Sequence, residues 1–249
     1  MAMLESNLLF VRPAGIEKLR RLLAFLILAL VKILSTILFR CRYRWLNPVP
    51  DYPWKDIRLV VFLNHTSLYE PIYLQILPFS YLWYLTDHFN VPGADITLKR
   101  PIVGTFWKLM IPNIASISRK KDATWGNYLA SIKEDDVVMI APEGRMKRLN
   151  GLDKYGKPMT VRGGVADIIE TMNSGKMLLA FSGGLHHVQA PGQHLPRFFK
   201  TIYMNMSYLD IEEYKKSFPA NPRERKILMV KDLQRRLETD CPDIENQKV

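Results

Sequence analysis

At 249 residues the chain is long enough to bury one good core, and a single α/β domain is the expectation. A composition of 48% apolar and 24% charged residues excludes a disordered or low-complexity polymer. Lysine and arginine number 35 against 24 acids, a net charge of +11, which attracts phosphates of either anionic lipid or nucleic acid, while two cysteines, Cys41 and Cys241, are too few for a disulfide framework.

Residues 1–15 are mixed in character and break at Pro13-Ala14-Gly15. Residues 16–39 read as one helix, apolar from Leu22 onward apart from Lys32, Ser35 and Thr36. Such a run of roughly 18 residues is about 27 Å long, just short of a hydrocarbon core of about 30 Å. It ends in Arg40-Cys41-Arg42-Tyr43-Arg44, with no small-residue cleavage site, so a signal peptide is not expected. Lys18, Arg21, Lys32, Ser35 and Thr36 fall on one helical stripe. That leaves open whether the segment lies in the membrane interface or crosses the bilayer, with a buried core helix as the remaining reading. Tyr43, Trp45, Tyr52 and Trp54 suit an aromatic belt. The expected division is a membrane-associated helical segment over 1–50 and a catalytic domain over 51–249.

The β-branched and aromatic run at 58–63 is long enough for a buried strand and too short for a helix. It stops at Asn64-His65, and Thr66 and Ser67 are N-cap residues for a helix with Glu70 in its first turn, continuing over 71–77. Residues 81–86 read as a second strand. Residues 101–110 form a helix opened by Pro101 at its first position. A strand at 114–118, a helix at 123–132, a strand at 136–141, a helix at 162–172, and strands at 177–181 and 201–206 follow. A basic amphipathic helix over 222–239 closes the chain. Strands alternating with helices imply an α/β fold, a mostly parallel sheet flanked by helices.

His65 therefore sits at the carboxyl end of a strand, where open α/β sheets place ligands. The helix folds the Glu70 carboxylate back toward it. A carboxylate-held histidine is a general base: the acid fixes the tautomer and stabilises the imidazolium formed when a hydroxyl is deprotonated. A histidine and an acid five residues apart are common by chance. Three further blocks follow in order: Leu98-Lys99-Arg100-Pro101-Ile102-Val103-Gly104 with Ile114-Ala115-Ser116-Ile117-Ser118-Arg119; Ala141-Pro142-Glu143-Gly144-Arg145; and Val161-Arg162-Gly163-Gly164-Val165-Ala166.

With the Asn64-His65 block they cover about residues 57–185, and together they resemble the glycerolipid acyltransferases of the 1-acyl-sn-glycerol-3-phosphate (lysophosphatidate) acyltransferase type. The resemblance implies a glycerol-3-phosphate acyltransferase-like fold behind an N-terminal membrane helix. It implies transfer of a fatty acyl group from acyl-CoA or acyl-carrier protein to the hydroxyl of a lysophospholipid, giving phosphatidate in phospholipid biosynthesis, at the cytoplasmic side of a membrane. In that reading His65 and Glu70 are catalytic. Arg119 binds the acceptor phosphate, Glu143 contacts the glycerol or organises its loop, and Gly144 lets backbone approach the ligand. Asn64 orients His65 or helps hold the oxyanion.

No cofactor or metal is needed beyond the acyl donor. No Gly-x-Ser-x-Gly elbow is present and both cysteines lie outside the matched blocks, so no acyl-enzyme is expected. Anionic lipid, the lysolipid and an acidic carrier account for the basic charge without nucleic acid.

Three departures from the family pattern matter. Glu70 stands where the family has aspartate. Arg145-Met146 stands where it has Thr-Arg, leaving Arg145, or else Lys147, to supply the positive charge. Ser182-Gly183-Gly184-Leu185-His186-His187 replaces a plainer strand and is expected to shape the acceptor or acyl pocket. Paired His186 and His187 with His194 invite a metal reading, but adjacent strand side chains point to opposite faces and no carboxylate or cysteine set completes a site. The first two departures favour an acceptor other than lysophosphatidate, such as a lyso-aminolipid. A non-enzymatic basic membrane-binding module is the remaining alternative.

Overall fold

The structure is a computed structural model that describes residues 14–111, 113–118, 122–190, 193 and 195–243. Seven strands, β1 (Arg40–Trp45), β2 (Ile57–Leu63), β3 (Phe89–Ala94), β4 (Asn113–Ile117), β5 (Val137–Ile140), β6 (Lys176–Gly183) and β7 (Thr201–Asp210), form one sheet in the order β1-β7-β6-β2-β5-β3-β4. All neighbours are parallel except β6 and β7, which run antiparallel. The fold is thus the mixed α/β arrangement with a mostly parallel sheet that the strand–helix alternation implies.

The period-two pattern of β2 decides the layers. Leu59, Val61 and Leu63 face a core shared with α5 (Thr124–Ser131), α6 (Gly164–Thr171), α8 (Ile211–Lys216) and α9 (Pro222–Thr239). Phe62 and Val60 face the other side, against α1 (Ala14–Leu38), a 3-10 helix (Glu70–Ile76), α2 (Phe79–His88) and α4 (Pro101–Met110). Two short helices, α3 (Asp95–Leu98) and α7 (Leu185–Val188), complete the order. Each fully buried Leu, Val or Ile of β2 contributes about 1.5–3 kcal/mol relative to exposure. Both faces are therefore strongly apolar, as a covered parallel strand requires.

Four sequence expectations change. Residues 81–86 are part of α2 and not a strand: Tyr81, Leu82, Leu85 and Thr86 are buried, a spacing that makes one face of a helix. The helix after Ser67 starts only at Glu70 and is 3-10. The Ser67 hydroxyl accepts a bond from the Tyr69 N–H, and Pro71 occupies the first turn. Residues 40–45, assigned with the membrane segment, are the edge strand β1, pairing with β7 from Arg40 opposite Thr201 to Trp45 opposite Met206. The fourth change adds β3, which carries Pro92. Its β5 side is used only by Phe89 and Asn90, so the proline costs no ladder bond there.

The N-terminal helix packs along the domain rather than standing apart from it. Three residues of its polar stripe turn inward while Lys18 and Thr36 stay exposed: Arg21 Nη1 lies 2.7 Å from Asp87 Oδ2, Lys32 Nζ donates to the Gln75 carbonyl at 2.6 Å, and Ser35 is buried, as are Ala24 and Leu28. Its apolar residues turn outward, with Ile16, Leu19, Leu22, Leu23, Leu26 and Leu30 exposed. The stretch Gly15–Leu38 is long and apolar enough to cross a membrane by length and composition.

Candidate active site

The carboxyl ends of β2, β5 and β6 meet at one place: Asn64 and His65 directly follow β2, Glu143 lies in the loop after β5, and Ser182 is the last residue but one of β6. Asn64 takes a left-handed backbone, φ 66°, which turns the chain sharply out of the strand. Asparagine tolerates that region far better than a β-branched residue would. The turn is held at both its ends. Asn64 Nδ2 donates to the Ser182 carbonyl at 2.8 Å, and Ser182 Oγ donates to the Asn64 carbonyl at 2.8 Å.

Glu143 clamps the same turn from the other side. It is 2% exposed, and its two oxygens accept the backbone N–H groups of Asn64 (2.8 Å, Oε1) and His65 (2.9 Å, Oε2). The carboxylate thus organises the loop that carries His65. The Asn64 N–H is used in that bond, so it is not directed at an oxyanion. Burial pushes the Glu143 carboxyl up, against the two amides and the His65 charge, which pull it down.

His65 Nδ1 is hydrogen-bonded to Glu70 Oε1, and both side chains are about four-fifths buried. The carboxylate is an acceptor only, so Nδ1 carries the hydrogen and Nε2 presents its lone pair. Nε2 has no hydrogen-bond partner among the described residues. Burial alone pushes the imidazole pKa down. The charge and hydrogen bond of Glu70, with a smaller contribution from Glu143, outweigh it and raise the pKa above the ordinary value. Tyr73 fixes the 3-10 helix behind Glu70: its buried hydroxyl lies 3.0 Å from the Gly183 carbonyl and 2.9 Å from the Tyr203 carbonyl, and accepts from the Gly183 N–H. The longer glutamate, in place of aspartate, reaches His65 from the first turn of this tighter helix.

The loop over residues 142–148, here the signature loop, divides its cations unexpectedly. Arg145 pairs with the nearly buried Asp153 and lies over the Tyr155 ring at 4.7 Å. Asp153 also accepts the N–H groups of Tyr155 and Lys157. Its carboxyl is held down at about 2, first by the Lys157 amide and then, against burial, by Arg145. Arg145 therefore braces the loop over 150–158. Lys147 faces the histidine turn: its N–H donates to the His65 carbonyl at 2.7 Å, and Nζ lies 3.2 Å from Asn64 Oδ1. Gly144, at φ 67°, makes the turn between the clamp and these cations, a backbone that disfavours any side chain. Arg119, with Lys120, Lys121 and His194, lies outside the described residues.

Tyr73 escapes the sequence reading, and the 182–187 stretch, expected to shape a substrate pocket, contributes supports. Ser182 and Tyr73 hold the turn and the acid. His186 Nε2 donates to the Lys147 carbonyl at 2.9 Å, so this histidine supports the cationic loop. Gly184, at φ 80°, approaches the Thr201 carbonyl so closely that a Cβ would sit 3.0 Å from it. Burial pushes the thiols of Cys41 and Cys241 up to about 12, so both stay protonated at neutral pH and are poor nucleophiles.

Beside the dyad an apolar cavity opens between α1, α2 and the sheet. Its volume is about 140 Å³, and Glu70 lies at its wall with Val60, Phe62, Met139, Ala180 and Met204. An apolar cavity of this kind takes up hydrocarbon in preference to water.

No family model matches the sequence, and no curated protein matches it either. Among solved structures the chain is similar to the crystal structure of the 1-acyl-sn-glycerophosphate (LPA) acyltransferase PlsC from Thermotoga maritima. The TM-score is 0.58 at 16% sequence identity, covering 92% of this chain and 83% of that one. The chain has the fold of this acyltransferase. Its mixed sheet, its flanking helices and its N-terminal apolar helix are the features of that shared fold.

Proposed function

We propose that the chain is a membrane-associated acyltransferase that moves a fatty acyl group from acyl-CoA or acyl-carrier protein to the free hydroxyl of lysophosphatidate, giving phosphatidate. The observation that carries this reading is the His65–Glu70 pair set against the wall of an apolar cavity. A general base whose partner carboxylate lines a hydrocarbon site suits a reaction between a hydroxyl and a fatty thioester.

In this mechanism the acceptor hydroxyl gives its proton to His65 Nε2 as its oxygen attacks the thioester carbonyl carbon. Glu70 stabilises the imidazolium. The tetrahedral intermediate collapses, the carbon–sulfur bond breaks, and the departing thiolate takes the proton back from His65. Glu143 and Ser182 hold the histidine turn throughout. With Arg145 committed to Asp153, Lys147 is the cation we assign to the acceptor phosphate beside the dyad, with Arg119 as a second ligand on the strength of the family resemblance. The outward apolar face of α1 and the charge of +11 suit an anionic membrane surface, and the site is placed on the cytoplasmic side, where acyl donors are made.

A second acceptor has specific support. Commitment of Arg145 to Asp153 leaves the signature loop with fewer cations for a phosphate than two free arginines would give, which suits a lysolipid with a different head group, such as a lyso-aminolipid. The deciding experiment is acyl transfer by purified protein, wild type beside His65→Ala, with labelled acyl-CoA or acyl-carrier protein and a panel of lysolipids. Product with lysophosphatidate that vanishes in the variant supports the main reading. Product only with a head group lacking phosphate moves the assignment to the second acceptor, and no product from folded protein refutes both.

A further inference from the structure

The connection between α7 and β7 presents large apolar side chains to solvent on a strained backbone. Leu195 is 80% exposed, Phe198 50% and Phe199 67%. Phe199 has φ 59°, a left-handed conformation that disfavours any non-glycine residue. Exposing two phenylalanines and bending the backbone to do so disfavours the folded chain in water on both counts, so a compensating environment is implied.

The position of the segment identifies that environment. The Phe199 N–H donates to the Leu38 carbonyl at 2.7 Å, the Arg40 N–H donates to the Lys200 carbonyl at 3.1 Å, and the Phe198 ring lies 6.0 Å from that of Phe39. The aromatic pair is thereby tied to the C-terminal end of α1, whose last turns expose Leu34 and Ile37. Exposed Arg40, Arg42, Arg197 and Lys200 surround it. Aromatic side chains ringed by cations match the boundary between acyl chains and anionic head groups, where the rings enter and the cations meet phosphate.

The segment is also coupled to the active site. Arg197 Nη2 donates to the His186 carbonyl, His186 Nε2 to the Lys147 carbonyl, and the Lys147 N–H to the His65 carbonyl, at 2.7, 2.9 and 2.7 Å. It stands at the same end of the sheet as the dyad, since Tyr203 of β7 pairs with Gly183.

We propose that residues 195–200 are a second membrane anchor, an aromatic wedge that enters an anionic lipid surface beside the C-terminal end of α1 and sets the depth of the His65 site relative to the head groups. This rests on the reading of the chain as a membrane-associated enzyme. The test is co-sedimentation of the full chain with vesicles of zwitterionic lipid, and of the same lipid mixed with anionic phosphatidylglycerol.

Phe199→Gly is expected to lower the partition coefficient roughly tenfold while Tm stays level or rises, because glycine relieves the left-handed strain. Phe198→Ser should lower partition similarly, and Arg42→Gln with Lys200→Gln should weaken binding only to the anionic vesicles and flatten its salt dependence. Wild-type partition in both phenylalanine variants overturns the wedge alone. A fall in Tm that tracks the fall in partition for Phe199→Gly also overturns it, since the ring would then be a packing element. If the wild-type chain itself stays in the supernatant, the membrane reading falls and the wedge with it.

Discussion

Replacing Glu143 by glutamine separates a clamp from a ligand contact. The carboxylate accepts two consecutive backbone N–H groups, one on each oxygen. Glutamine keeps one acceptor and turns the other into an NH2 that faces a second donor, so either the Asn64 or the His65 amide is left unpaired in a buried place. An unsatisfied buried amide costs about 1–3 kcal/mol, which for a chain of this size corresponds to a Tm lower by roughly 2–12 °C. The Asn64 turn, at φ 66°, loses half of what holds it, and His65 moves with it. A shift of the base by a fraction of an ångström lowers kcat by about 10–100-fold. KM for the acceptor should change little, because Glu143 spends both oxygens on the protein. Thermal denaturation and steady-state acyl transfer at varied acceptor concentration check this. A glutamine variant with wild-type Tm and kcat but a raised acceptor KM refutes the clamp and makes Glu143 a substrate ligand.

Glu70→Gln should slow the reaction by about 10²–10⁴-fold and move the acid limb of the kcat/KM profile down. Glu70 raises His65 against burial, so the working limb lies above the ordinary histidine value of 6.5 and drops without the carboxylate. The same raised pKa gives a stability contribution present below 6.5 and lost as pH rises through the folded value, which urea denaturation across that window measures. Arg145→Ala and Asp153→Ala should each loosen the loop over 150–158 to limited proteolysis, and the double variant should be no worse than either single one. Additive losses, or a loss of acceptor affinity with an intact loop, would return Arg145 to the phosphate. Ala180→Phe fills part of the apolar cavity and should favour shorter acyl donors with kcat kept, as read by donor competition. An unchanged chain-length profile would mean that the acyl chain lies elsewhere.

Much of the fold was legible because local and global preferences agree. The runs at 58–63 and 136–141 have no polar face to offer, so they belong inside a covered parallel sheet. The helix read over 222–239 is α9 over the same span, and the Asn221 side chain caps it by accepting from the Arg223 and Glu224 N–H groups. β1 was missed although Arg-Cys-Arg-Tyr-Arg-Trp alternates with period two, since its place after an apolar helix made its arginines read as a membrane flank. The 81–86 segment has strand-forming residues but helical burial, a difference visible only once a sheet lies beneath it.

For the site, a strand end followed closely by a helix brought out His65 and Glu70, whereas Asn64, Glu143 and Gly144 entered through the family resemblance. The sequence by itself determined the α/β class, five of the seven strands, the closeness of His65 and Glu70, and a basic, partly apolar chain. Only tertiary structure decided which cation serves which partner. Arg145 and Lys147 are two residues apart with the same charge, and what divides them is a nearly buried Asp153, eight residues beyond Arg145, and the His65 carbonyl in the turn after β2. Likewise the polar stripe of α1 could have faced water or protein. Arg21 and Lys32 turn inward because Asp87 and the Gln75 carbonyl wait there, and that leaves the apolar face outside. Long-range partners of this kind cannot be read from one-dimensional spacing, since the energy that selects them arises only when the strands have met.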